Sequence, residues 1–162
     1  MSEILGTLFK YLMALLGIAV VVGVLYAVLH KNKAGTEASN LTSLSTNIST
    51  TYVGQSTFTG LTTAICAKLA PQSMAPAGAG TMVNQWGGSV TCAVDANPSQ
   101  YDVVENGVDS SGCTDLVNQA KNYVSVILGG TTYNTANPLD AGTAVTVCNA
   151  ANPQTITFVY GK

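Results

Sequence analysis

The chain opens on a run from which polarity is missing. From Tyr11 to Leu29 no charge interrupts the sequence (YLMALLGIAVVVGVLYAVL), with Lys10 before it and His30, Lys31 and Lys33 after it. As an α-helix rising ~1.5 Å per residue the run reaches roughly 28 Å, enough to cross the hydrocarbon of a bilayer. A secretory signal has a shorter apolar region of about 7 to 15 residues and ends on small residues. This run ends on Leu29, His30 and Lys31, so it reads as part of the mature chain. The pattern then changes. Ala34, Ala38, Leu41, Leu44, Ile48 and Tyr52 recur at steps of 4, 3, 3, 4 and 4, one stripe along a helix. Together the segments predict one long N-terminal helix, apolar all round at first and amphipathic afterwards. Gly35 and the threonines between 42 and 51 are poor helix formers, so packing must hold the second half.

Shorter periodicities follow. Leu61, Ile65 and Leu69 predict a helix over Thr59–Leu69 ended by Pro71, and PQSMAPAGAG (71–80) reads as a loop. SVTCAV (89–94) and YDVVE (101–105) predict strands around an Asn97-Pro98 turn. The run CTDLVNQAKNYVSVIL (113–128) places Leu116, Ala120, Tyr123 and Ile127 on one helical face. N-cap candidates Asp109, Ser110 and Ser111 stand before it, and Gly129 and Gly130 stop it. AVTVC (144–148) and TITFVY (155–160) predict two strands bracketing an Asn152-Pro153 turn. The expected class is α+β: a long N-terminal helix with a hydrophobic first half, packed on a small antiparallel sheet with a second helix. The expected division is 1–30 as the membrane or core helix, 31–53 as its amphipathic continuation and 54–162 as a globular head.

Composition narrows the function. Of 162 residues 47% are hydrophobic and 9% charged, with 6 lysines, 8 acids, one histidine and no arginine. A formal charge of -2 offers no basic face for nucleic acid, so none is expected as a partner. Residues 34–162 carry 3 lysines against 7 acids, a net of -4, among many Thr, Ser, Asn, Ala and Gly. No phosphate loop, metal-ligand cluster or nucleophile–base pair stands out, and the single histidine, His30, lies beside the apolar run. No catalytic residue, cofactor or metal is therefore expected. Asp102, Glu105 and Asp109 are the densest acids and read as solvated or capping groups, with calcium as the sharper alternative.

The cysteines bear on compartment. Cys66, Cys92, Cys113 and Cys148 are widely spaced without a C-x-x-C pair, which reads as two disulfides in an oxidising compartment, with three connectivities open. Lysines on the C-terminal flank of the apolar run would instead place the following residues in the cytoplasm. One resolution is that a basic leader has been removed before Met1; Met1 as initiator is the other.

At this point residues carry a resemblance. The helix-first order, TYVGQSTFTGLTTA (51–64), NQWGGSVT (84–91) and a final region bracketed by Cys113 and Cys148 resemble the type IV pilins. In pattern the chain is most similar to the type IVb pilins of enteric bacteria, including bundle-forming pilin and the major subunits of thin conjugative pili. The resemblance implies a homo-oligomeric helical filament outside the cell, serving adhesion, aggregation or conjugative contact. It also implies storage in the inner membrane before assembly, a pilus assembly machinery, and a prepilin peptidase acting at Met1, the N-methylation site. By the same resemblance Cys113 pairs with Cys148 as the C-terminal staple, leaving Cys66 with Cys92. The alternatives are a pseudopilin or minor pilin of a related system, or a bitopic membrane-anchored protein. A pseudopilin often relies on a metal where this chain has cysteines.

The resemblance assigns the filament core to the first helix: Leu8, Phe9, Leu12, Leu15, Leu16, Gly17, Val20, Val21, Gly23 and Val24. The family usually carries a glutamate near the mature N-terminus, but residues 4–6 are Ile4, Leu5 and Gly6, so Glu3 is the candidate. Lys10 is a second oddity in an apolar stretch. Glu3 and Lys10 lie seven residues apart, roughly 10.5 Å along one face, too far to pair within one helix. Between staggered neighbours they would pair, and the cost of a lone buried charge would select one axial register.

Overall fold

The structure, a computed structural model, describes residues 2–76 and 80–162; in the first helix the side chains of residues 2–5, 27 and 29–31 lie outside the described set. Helix α1 runs unbroken over Ser2–Thr51. The chain separates into two compact units, Met1–Asn32 and Lys33–Lys162, each described by itself.

The first unit is helix alone. Gly6–Tyr26 is long and apolar enough to cross a membrane. Its large side chains, Leu8 to Tyr26, are 51 to 70% exposed, so nothing in this unit buries them.

The second unit holds the core. All six residues of the stripe, Ala34, Ala38, Leu41, Leu44, Ile48 and Tyr52, are buried. With Gly35 and five threonines in this stretch, tertiary burial rather than propensity sustains the helix. The threonines help locally, since Thr42, Thr46, Thr50 and Thr51 each donate a hydroxyl to the carbonyl four residues back. After α1 come α2 (Thr63–Leu69), β1 (Met82–Val83), β2 (Ser89–Val94), β3 (Gln100–Val108), α3 (Ser110–Gln119), β4 (Ser125–Leu128), β5 (Thr131–Tyr133), α4 (Ala141–Ala150) and β6 (Gln154–Gly161). The six strands form one antiparallel sheet in the order β1-β2-β3-β6-β4-β5. Alternation puts Val90, Cys92, Tyr101, Val103, Val126, Leu128, Ile156, Phe158 and Tyr160 into the core, where they meet the stripe of α1.

Two readings of the pattern are corrected. Residues 113–128 are not one helix. Helix α3 ends at the Ala120 cap, Asn122 turns the chain with a φ of 64°, and β4 begins at Ser125. Val126 and Leu128 are buried at a spacing of two, and these strand-forming residues gain more by pairing with β6 than by extending the helix. Gly129 and Gly130 therefore close the β4–β5 hairpin, both at positive φ, rather than cap a helix. Ala144–Cys148 is the second correction: it lies inside helix α4, not in a strand. Asp140 starts that helix by accepting from the N–H groups of Gly142 and Thr143, and only Ala144 and Cys148, four apart, are buried. A V-T-V alternation in a helix, with Val145 and Thr146 exposed and Val147 partly buried, imitates a strand. The Thr59–Leu69 helix is likewise shorter, beginning after an N-cap at Thr62.

Both edges of the sheet are closed. Beyond the two residues of β1, the Thr63 hydroxyl accepts from Cys92 N and donates to Cys92 O, both at 3.1 Å, filling the place of a neighbouring strand. At the other edge β5 is three residues long, and Asn137 donates its amide to Thr132 O. Such edges do not invite strand addition.

Candidate assembly interface

The apolar surface of the first unit is the first candidate. The structure places Leu8, Phe9, Leu12, Leu15, Leu16, Val20, Val21 and Val24 on the exposed surface of α1, with Lys10 exposed among them. Open space surrounds Gly17 and Gly23, each of which would accept a Cβ without contact. Met1 and the Glu3 side chain lie outside the described residues. A rod this greasy must be covered by lipid or by protein, since a monomer rarely exposes a contiguous apolar area so large.

The four cysteines form two buried disulfides, Cys66–Cys92 and Cys113–Cys148. The first ties α2 to β2 and the second ties α3 to α4, so each joins elements that share no strand pairing. Among the described residues no group of three or more His, Cys, Asp or Glu could hold a metal. The acids 102, 105 and 109 do not converge on one function. Asp109 caps α3 by accepting from Gly112 N at 2.6 Å. Asp102 is partly buried, which raises its carboxyl, and the charge of Asp95 adds to the rise.

Glu105 is the residue that the sequence reading misplaced. It is fully buried, as is Glu37 on α1, and each carboxyl perturbs the other. Glu105 faces Val90 across β2 and Ile156 across β6, so hydrocarbon surrounds it within the sheet. Burial pushes its carboxyl well above the usual carboxylate range, and the charge of Glu37 pushes it further; the Asn84 amide opposes the rise. Glu37 rises to about 7, chiefly because burial strips its water, while the bonds from Gln85 N, Asn40 and Glu105 pull the other way. Its Oε2 accepts from Gln85 N at 3.0 Å and from Asn40 Nδ2 at 3.4 Å. Glu37 Oε1 and both Glu105 oxygens are buried without a hydrogen-bond partner, and a bond between the two acids would need one of them to carry a proton.

The NQWGG turn builds that site. Asn84 Oδ1 accepts from Trp86 N and from Gly88 N, and its amide donates to Asn106 O at 2.8 Å. The turn thereby aims Gln85 N at Glu37. At Gly88 a Cβ would fall inside the Asn106 carbonyl, and at Gly112 it would lie 2.5 Å from the indole of Trp86. Trp86 is thus half-buried against α3, and Tyr101 lies wholly in the core. At the far end of the buried half of α1, Tyr52, Phe58, Tyr101 and Tyr160 form a ladder with centroids 5.5, 4.7 and 5.5 Å apart. The Lys162 ammonium lies 5.1 Å over Phe58 and donates to Tyr52 O at 2.8 Å, satisfying a helix-end carbonyl.

Comparisons with known proteins point one way. The family model described as PilS N terminal matches residues 31–161. The solved structure of TcpA, a type IV pilin from the El Tor biotype of Vibrio cholerae, is similar with a TM-score of 0.58 over 80% of this chain and 99% of that one, at 12% identity. No curated protein matches. At that identity the likeness is one of fold: the long helix and antiparallel sheet are shared with the pilin.

Proposed function

The chain belongs to the type IV pilins, as a member of the PilS family, and from that premise we propose that it is the major, repeating subunit of a type IVb pilus serving adhesion, aggregation or conjugative cell contact. As a type IV pilin it is a structural subunit that assembles into filaments of pilin, not an enzyme. The observation that carries the proposal is the change of chemistry along one helix: apolar and exposed to Tyr26, then striped and buried from Ala34. An exposed apolar rod suits a lipid before assembly and its own copies afterwards, because both exclude water from the same surface. Closed sheet edges support the same reading, since they leave helix packing rather than strand addition to join copies.

In this reading residues 1–30 anchor the subunit in the inner membrane and later form the filament core, 31–53 continue the helix, and 54–162 make the head. A prepilin peptidase prepares the start of the chain at Met1, which is then N-methylated, and an assembly machinery extracts the subunit. Glu3 of one copy pairs with Lys10 of a neighbour. Negative-stain microscopy of purified material, with mass spectrometry of the N-terminus, tests the whole. Long fibres with a methylated first residue support it. Monodisperse particles with an unmodified start identify a bitopic membrane protein instead.

A further inference from the structure

The Glu37–Glu105 pair lies away from the exposed apolar surface of α1, inside the core. Both carboxyls are fully buried, on opposite sides of the contact between α1 and the sheet. From α1 comes the Asn40 amide, itself held by Ser73, and from the turn before β2 come Asn84 and Gln85 N. From β2 and β6 come the hydrocarbon of Val90 and Ile156, and Tyr160 is the titratable side chain of β6 that feels Glu105. Among the described residues no lysine pairs with either acid. Two carboxylates in that setting would repel with nothing to neutralise them, and the three oxygens without donors would be orphan acceptors. A single proton between them removes one of the two charges and pairs two of those three oxygens.

We propose that Glu37 and Glu105 form a proton-held latch, in which one shared proton fastens the start of the buried half of α1 to β3 and its loss releases that segment from the sheet. The two-state element is α1 from Ala34 to Ile48, whose stripe is either docked or free. The direction follows from the shared proton. Undocked, each acid returns to the ordinary carboxyl range near 4.5; docked, Glu37 is raised to about 7 and Glu105 well above its ordinary range. Docking therefore takes up protons between those limits, and it weakens as pH rises. The opening equilibrium should increase about tenfold per pH unit for each proton that the docked pair holds. The macroscopic titration belongs to the pair rather than to either residue.

Hydrogen exchange of the full-length chain in detergent micelles, between pH 5.5 and 8.5 and scaled for intrinsic exchange rates, tests the latch. In the wild type, protection of peptides covering 34–48 should fall by about tenfold or more across that range, following the linkage slope, while peptides of α3 keep theirs. In Glu105→Gln, an amide that donates to the Glu37 carboxylate but cannot ionise, only Glu37 still titrates and the fall should be at least about threefold smaller than in the wild type. Glu37→Gln should flatten it too, and serves if the first variant does not fold. A flat wild-type profile overturns the latch, as does a wild-type slope in a folded glutamine variant. A fall shared equally by α3 overturns it as well, because general acid–base destabilisation would move both segments together.

Discussion

Replacing Gly88 by alanine tests how the NQWGG turn holds the head together. The new Cβ would fall inside the Asn106 carbonyl and lie 2.6 Å from its carbon, both backbone atoms that cannot swing aside. Asn106 cannot retreat freely, since its own side chain donates to Ser89 O and accepts from Thr155. The turn must move instead. Moving it breaks the bonds from Asn84 to Asn106 O and from Gly88 N to Asn84, each 2.8 Å long and each contributing about 1 kcal/mol. It also withdraws Gln85 N from a buried carboxyl, which costs about a further 2 kcal/mol. The sum is roughly 3 to 5 kcal/mol, or a fall in Tm of about 10 to 20 °C for a head of this size. Circular dichroism melts of the detergent-solubilised chain measure it. Gly54→Ala is the control, because its Cβ meets nothing. A Gly88→Ala melt within about 3 °C of the wild type would refute the reasoning, since it would mean that the close approach can be relieved without breaking the turn.

Three other outcomes follow from the same geometry. In the assembly proposal, neutralising Glu3 or Lys10 alone should reduce fibre yield more than neutralising both, and equal or additive losses in a double-mutant cycle, read by fibre sedimentation, count against the pairing. The two disulfides close loops with sequence separations of 26 and 35, each contributing about 3 to 4 kcal/mol in the chain-entropy model, so reduction should lower the Tm of the head; an unchanged melt with free thiols confirmed by mass shift would show the staples to be redundant. Lys162→Met should cost about 1 to 2 kcal/mol through loss of the bond to Tyr52 O and the contact over Phe58, measured by urea denaturation, and a neutral result would make that contact incidental.

Much of the fold was legible because burial writes periodicity into the chain. The six-residue stripe of α1 and the strand over 89–94 stand where their spacing put them. The errors came where two periods compete over a few residues. VSVIL continues a helical face through Ile127 yet alternates as a strand, and only the partner strand β6 decides between them. AVTVC alternates in type while its buried residues are spaced by four, and the deciding force is the Asp140 cap with the anchored Cys148. The buried acid pair left a subtler trace. Glu37 stands three residues after Ala34 and four before Leu41, on the stripe itself, and Glu105 continues the inward alternation of Tyr101 and Val103. Each acid alone reads as surface by residue type. Only the packing of α1 on β3 shows that the two positions meet.

That meeting clarifies what the second half of α1 requires. Its sequence is weak for a helix, and its stripe is small at the start, with Ala34 and Ala38 where Leu41, Leu44 and Ile48 come later. Alanines bury little area, so the early turns gain less from hydrophobic contact than the later ones. At the far end the helix is fastened by an aromatic ladder and the Lys162 ammonium. At the near end, where apolar contact is thinnest, the fastening is polar: Glu37 to Gln85 N, Asn40 to Ser73, and the proton shared with Glu105. The two ends therefore differ in what can loosen them. Burial of rings responds to neither protons nor reductant, whereas a proton-dependent contact does respond, and it lies next to the stretch where the helix passes from exposed apolar rod to packed stripe. In the proposed reading, a helix that serves in lipid and then in a filament has its adjustable contact at that transition.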